Sequence, residues 1–184
     1  MNRKQLQAAG QYLVERYGAW ATHMLTLTFT DMKRGGYVIQ GGWAKGAVNS
    51  YEYELTAEAA MDSVRYFVEA LNYKCFGRKT RKQRTKNVCR ILAIPVLEGL
   101  NSCKRVHTHI LLGNIPVHML TRLEDTVQEI WANTKWGMRR MQLDELHDLD
   151  GAAHYLTKEV GYINDGAVCW EHASVPGRLL GKWS

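Results

Sequence analysis

The chain has 184 residues, 46% of them hydrophobic, a formal net charge of +6 and a pI near 9.2. That length gives one domain a sizeable core and is short for two, and the composition excludes a disordered chain. No apolar run approaches the ~20 residues of a membrane helix, and the positive charge points to an acidic partner, of which nucleic acid is the commonest.

The opening stretch, MNRKQLQAAGQYLVERYGAW, is basic and places Leu6, Ala9, Leu13 and Tyr17 at helical spacing. It lacks the uninterrupted apolar core of a secretory signal, so a cytoplasmic location is expected. Cys75, Cys89, Cys103 and Cys169 form no C-x-x-C and read as free thiols of a reducing compartment. Next, HMLTLTFTD alternates: Met24, Thr26, Thr28 and Thr30 share one face, and Leu25, Leu27 and Phe29 the other. That pattern predicts a half-buried strand with one polar face.

A glycine-rich stretch, RGGYVIQGGWAKGAVNSYEYE, predicts a short strand or hairpin around residues 37–39 and a loop. An amphipathic helix follows, with Ala57, Ala60, Met61, Val64, Phe67, Val68 and Leu71 on one face, Thr56 as N-cap and Gly77 as stop. The run RKTRKQRTK carries six cations in nine residues, Arg78, Lys79, Arg81, Lys82, Arg84 and Lys86, and must be a solvated loop. Two strands come next, VCRILAIPVLE and RVHTHILLG, joined by GLNSCK, with Pro95 marking an edge or a bulge. Pro116 starts a helix with Leu120, Leu123, Val127, Ile130 and Trp131 on one side, and WGMRRMQLDELHD reads as another strand. Asp150 caps a last helix, GAAHYLTKEVGYI.

No internal repeat is present. The order of strand, helix, strand, strand, helix and strand predicts an α+β fold. Its core is an antiparallel sheet of split βαβ, ferredoxin- or RRM-like, topology with helices on one face. The other face is expected to stay open, as in sheets that serve as nucleic-acid platforms.

His107 and His109 lie two apart on a strand and therefore project to one face. Neutral imidazole is the commonest metal ligand, but a lone pair of histidines is as readily a solvated strand face. Glu98, nine residues before His107 across a short turn, would add a carboxylate. Such a set suits Mg²⁺ or Mn²⁺. In HYLTKEVGY, Tyr155, Lys158, Glu159 and Tyr162 share a helical face. A tyrosine, a lysine and a carboxylate so placed suit nucleophilic attack on a phosphodiester; the same string also reads as tyrosines packed on a sheet with solvated charges.

In this order, the strand LTLTF, the HTH triplet and YLTK resemble the three motifs of the HUH endonucleases, above all rolling-circle replication initiators of plasmids and single-stranded DNA phages. The resemblance covers residues 22–163 of a single domain spanning residues 1–184. It implies His107 and His109 as metal ligands, Glu98 as the third, with Glu159 as its rival, Tyr155 as nucleophile and Lys158 as the group that orients DNA or phosphate. Tyr162 would be supportive. The implied reaction nicks and rejoins single-stranded DNA, at an origin or origin hairpin, through a 5′-phosphotyrosine. The setting would be the cytoplasm of a bacterial host. No helicase domain follows, so a host helicase and polymerase are implied partners. The basic run from Arg78 to Lys86 would grip the DNA backbone or simply solubilise its loop, and Trp131 and Trp136 are candidate base-stacking residues, Trp131 fitting the helix core better. Thr108 departs from the pattern, being polar where the family has a hydrophobic residue, which predicts a less buried opposite strand face.

Three other readings stand beside this one. A single-tyrosine transposase or relaxase-like mobilisation protein would keep the fold. A non-catalytic nucleic-acid-binding module would keep only the sheet. A structural zinc site would use Cys103, His107 and His109, but C-x₃-H-x-H lacks a fourth ligand.

Overall fold

Alternation of apolar and polar side chains builds the middle of the sheet. The computed structural model describes residues 12, 16–30, 32–38, 48–82, 85, 88–99, 105–147 and 173–177. Strand β1 (Ala21–Phe29) buries Leu25, Leu27 and Phe29 completely, while Met24, Thr26 and Thr28 are half-buried on its other face. Strands β2 (Met32–Val38) and β3 (Val48–Glu54) pair with each other in a separate antiparallel sheet, a longer hairpin than the short element expected around residues 37–39. Helix α1 (Ala57–Phe76) starts where Thr56 accepts a hydrogen bond from the Ala59 N–H at 3.2 Å, and stops at Gly77, whose φ of 60° is left-handed. Its buried stripe includes Ala60, Val64, Phe67, Val68 and Leu71, and adds Ser63, Asn72 and Cys75.

Strands β4 (Leu92–Glu98) and β5 (His107–Gly113) come next, then helices α2 (Val117–Leu120) and α3 (Leu123–Ala132) and strand β6 (Gly137–Glu145). β1, β4, β5 and β6 form a four-stranded antiparallel sheet in the order β4-β5-β1-β6. The fold is α+β. One hydrophobic cluster joins Leu25, Leu27 and Phe29 of β1, Ile110 and Leu112 of β5 and Leu97 of β4 to the buried stripes of α1 and α3. Trp131 sits at its centre, edge-on to Phe29 at 4.9 Å, and its indole N–H donates to the Thr28 carbonyl at 3.0 Å.

The single helix expected after Pro116 is two. Arg122, at φ −127°, interrupts it, and the change of phase leaves Leu120 exposed and turns Met119 into the core. Thr108 does not loosen the core-side face of β5. It is fully buried, and its hydroxyl donates to the Val96 carbonyl at 3.0 Å, so the polar group is satisfied by the neighbouring strand. Trp136 is buried like Trp131, so neither indole offers a face for base stacking.

The second face of the sheet is not open throughout. Every residue of β4 is buried, as are six of the seven in β5, whereas β1 and β6 alternate. Leu92, Ile94, Val96 and Leu111 are thus shielded on the face away from α1 and α3, and only the β1–β6 half reaches solvent. The near-continuous apolar runs LAIPVL and ILL reflect this, being the pattern of strands covered on both sides.

β4 is the edge strand of this sheet, as Pro95 requires. Ala93 exchanges two backbone hydrogen bonds, at 2.8 and 2.9 Å, with Ser174 on the outer side, and Pro95, two residues on, turns its missing N–H the same way. The Ser174 hydroxyl donates to the Ile91 carbonyl at 2.9 Å and accepts from Asn72 Nδ2 at 3.3 Å, while Asn72 Oδ1 accepts from the Ile91 N–H at 2.9 Å. Asn72 and Ser174 are both buried, so these bonds tie α1, β4 and the C-terminal stretch into one unit. The expected first helix is described only at Tyr12, Arg16 and Tyr17, and the expected last helix lies outside the described residues. No helix among the described residues is long and apolar enough to cross a membrane.

Ser174→Ala strands two buried polar partners at once. It should lower unfolding free energy by about 1–3 kcal/mol, measured as an earlier urea midpoint with an unchanged slope.

Candidate metal centre

Strand register brings the site together. The β4–β5 pairing sets Glu98 opposite His107 and Val96 opposite His109, and the β5–β1 pairing sets Thr28 opposite His107 and Thr26 opposite His109. All these side chains rise from the face away from α1 and α3. The turn after β4 begins at Gly99, whose φ is 92° and whose Cα lies against the next strand; a Cβ there would stand 2.8 Å from the Arg105 carbonyl oxygen. Only glycine permits this approach.

The same carbonyl oxygen lies 2.8 Å from His107 Nδ1. A carbonyl only accepts, so Nδ1 carries the proton and Nε2 of the neutral ring presents its lone pair. That Nε2 lies 3.3 Å from Glu98 Oε2. His109 Nε2 lies 3.8 Å from the same oxygen, and its Nδ1 is 2.9 Å from the Thr26 hydroxyl. The two imidazoles stand edge to face with centroids 4.9 Å apart. One donor atom from each of Glu98, His107 and His109 falls within 4.8 Å of the other two, and together the three can hold a metal ion.

The donor chemistry fits a cation. Glu98 is 4% exposed and His109 5%, while the His107 side chain is 21% exposed and forms the open edge of the group. A buried carboxylate facing two imidazole nitrogens sets lone pairs against each other unless positive charge lies between them. Atoms sharing one ion at about 2.1 Å stand roughly 3.0 Å apart in octahedral and 3.4 Å apart in tetrahedral geometry; the His107–Glu98 distance of 3.3 Å lies in that range and the His109–Glu98 distance of 3.8 Å is wider. The Arg105 carbonyl and the Thr26 hydroxyl occupy the positions of the outer partners that fix the rings of metal-binding histidines.

Beside His107 the open half of the sheet forms a groove of about 260 Å³ lined by Thr26, Thr28, Arg105, His107, Arg140, Met141 and Gln142. Thus the structure unites Glu98, His107 and His109 as the sequence proposed. Arg78, Lys79, Arg81 and Lys82 follow α1 and precede β4, whose far end carries Glu98. Arg84, Lys86, Cys103, Tyr155, Lys158, Glu159 and Tyr162 lie outside the described residues.

Sequence reasoning missed three residues. Thr26 was legible as the polar face of β1, but its partner depends on register. Arg105 is two residues before His107, and Arg140 shares alternate positions with Gln142 on β6. Another histidine, His23, lies at the far end of β1, where burial lowers its pKa and Glu145 partly restores it. No family model matches the chain, and neither a curated protein nor a solved structure matches it.

Thr26→Val keeps the β-branched shape and removes the hydroxyl beside His109. It should weaken Mn²⁺ binding by roughly 10- to 100-fold in a calorimetric titration, with the circular dichroism spectrum unchanged.

Proposed function

We propose that this protein is a metal-dependent, single-tyrosine endonuclease of the HUH type that nicks and rejoins single-stranded DNA to start rolling-circle replication of a plasmid or phage. The observation that carries the reading is the convergence of Glu98, His107 and His109 at the open half of a polar sheet face. The strand order β4-β5-β1-β6, with α1 between β1 and β4 and α3 between β5 and β6, supports a split βαβ topology interrupted by the β2–β3 hairpin. The motif order adds to this: LTLTF falls on β1 and HTH opens β5.

In this reading Glu98, His107 and His109 hold Mg²⁺ or Mn²⁺. Bound there, the ion supplies Lewis-acid polarisation of the scissile phosphate. The protein's own groups do the rest. The Tyr155 phenol oxygen forms a bond to phosphorus as the bond from phosphorus to the 3′ oxygen breaks. The phenol gives up its proton and the 3′ oxygen gains one, leaving a 5′-phosphotyrosine and a free 3′ hydroxyl. The bond exchange is close to neutral in energy, so the hydroxyl can reverse it and rejoin the strands. Lys158 lowers the cost of ionising a phenol whose ordinary pKa is about 10 and steadies the phosphate. The chain leaves β6 at one edge of the sheet, where the Leu146 N–H donates to the Thr22 carbonyl, and meets Ser174 at the other edge. Tyr155 and Lys158 fall between these points in sequence.

The recessed site selects the substrate. With Glu98 and His109 almost wholly buried, a reacting phosphate must approach past His107, which a flexible single strand does more readily than a duplex.

Labelled single-stranded origin DNA mixed with the protein and Mn²⁺ should yield an adduct that survives SDS on a denaturing gel. EDTA, Tyr155→Phe and Glu98→Ala should each abolish it. An adduct that persists in Tyr155→Phe and vanishes in Tyr162→Phe would move the nucleophile; DNA binding with no adduct under any condition would leave a non-catalytic binding module.

A further inference from the structure

We infer that the groove between β5, β1 and β6 is a backbone subsite. It would hold a phosphate of single-stranded nucleic acid next to the one presented to Glu98, His107 and His109, and so rests on the phosphodiester reading above. Four observations carry this. His107 belongs both to the candidate metal group and to the groove wall, so the two sites are continuous. Among the described residues that line the groove none is acidic, and two are arginines, both exposed. Each guanidinium presents a planar fork of donors that matches paired phosphate oxygens. Thr26, Thr28 and Gln142 add neutral hydroxyl and amide groups, the kind that contact phosphate and sugar without reading sequence.

Size and outlet fit the same ligand. At about 260 Å³ the groove is smaller than the roughly 300–1,000 Å³ of a site for a drug-sized molecule, and suits one phosphate with its sugar. It opens at β6, the edge strand, where Arg140 and Gln142 are exposed, so a polymer can continue past it. Arg105 reaches toward that edge, its Nη1 lying 3.5 Å from Met138 Sδ on β6. Among the described residues no Phe, Tyr or Trp lines the groove, so this subsite positions a strand and does not select its bases.

The test compares the protein with an Arg105→Gln/Arg140→Gln double variant. Both changes spare the Arg105 carbonyl that holds His107. Fluorescence anisotropy follows binding of a labelled single-stranded oligonucleotide in EDTA across a potassium chloride series, and Mn²⁺ affinity is measured separately by calorimetry. The double variant should bind DNA roughly 5-fold more weakly near 0.1 M salt, and its slope of log K against log salt should be shallower by about 0.7, the value for one lost phosphate contact. The loss should be equal for oligonucleotides of unrelated sequence. Mn²⁺ affinity should not change, and Arg105→Lys/Arg140→Lys should restore the slope. An unchanged slope with intact Mn²⁺ binding overturns the subsite and leaves the nuclease reading standing. Loss of Mn²⁺ binding in the double variant also overturns it, since the arginines would then be shaping the metal group. If the unaltered protein binds no Mn²⁺ yet the slope still falls, the subsite stands and the metal reading fails.

Discussion

The pairing of Glu98 with His107 across β4 and β5 is the constraint on which the site depends. Side chains alternate along a strand, so a slip of one residue would send Glu98 into the hydrophobic core and His107 away from it. The register is held at the turn and from both sides of β5. Gly99 lets the turn close against the Arg105 carbonyl, the Thr108 hydroxyl bonds the Val96 carbonyl, and β1 pairs along the other side of β5. The same Arg105 carbonyl then fixes the His107 tautomer. One peptide group thus links the turn that needs glycine to the ring whose other nitrogen faces Glu98.

The sheet divides its labour. Its β4–β5 half is buried on both faces and gives a rigid floor, with the outer edge of β4 closed by Ser174. Its β1–β6 half keeps a polar face in contact with solvent. The candidate metal group lies at the boundary: Glu98 on the closed side, His107 at the opening, and the arginine-lined groove beyond. A carboxylate at the dry side of that boundary is costly without a partner cation, and a groove on the wet side admits a charged polymer. The proposed chemistry would rest on this juxtaposition of a desolvated ligand set and a solvated approach.

Much of this was legible in the sequence because it rests on local periodicity. The alternation in HMLTLTF, the capped stripe of α1, and the i, i+2 histidines each fix a face without knowledge of neighbours. The Glu98–His107 link was also readable, since a short connection between two strands implies a hairpin. What failed required tertiary information. The break at Arg122 shifted the helical phase and exchanged Leu120 for Met119. The openness of the second face was misjudged because burial of Leu92, Ile94, Val96 and Leu111 depends on what packs over them. Thr26 and Arg140 gained meaning only when β1 and β6 were placed beside β5.

The central claim is that Glu98, His107 and His109 bind one divalent ion. Pulsed electron paramagnetic resonance of the Mn²⁺-loaded protein reads the ligands directly. The account predicts nitrogen couplings from two bound imidazoles, reduced to one in His109→Ala and one in His107→Ala. A spectrum of hydrated Mn²⁺ with no nitrogen coupling would contradict it.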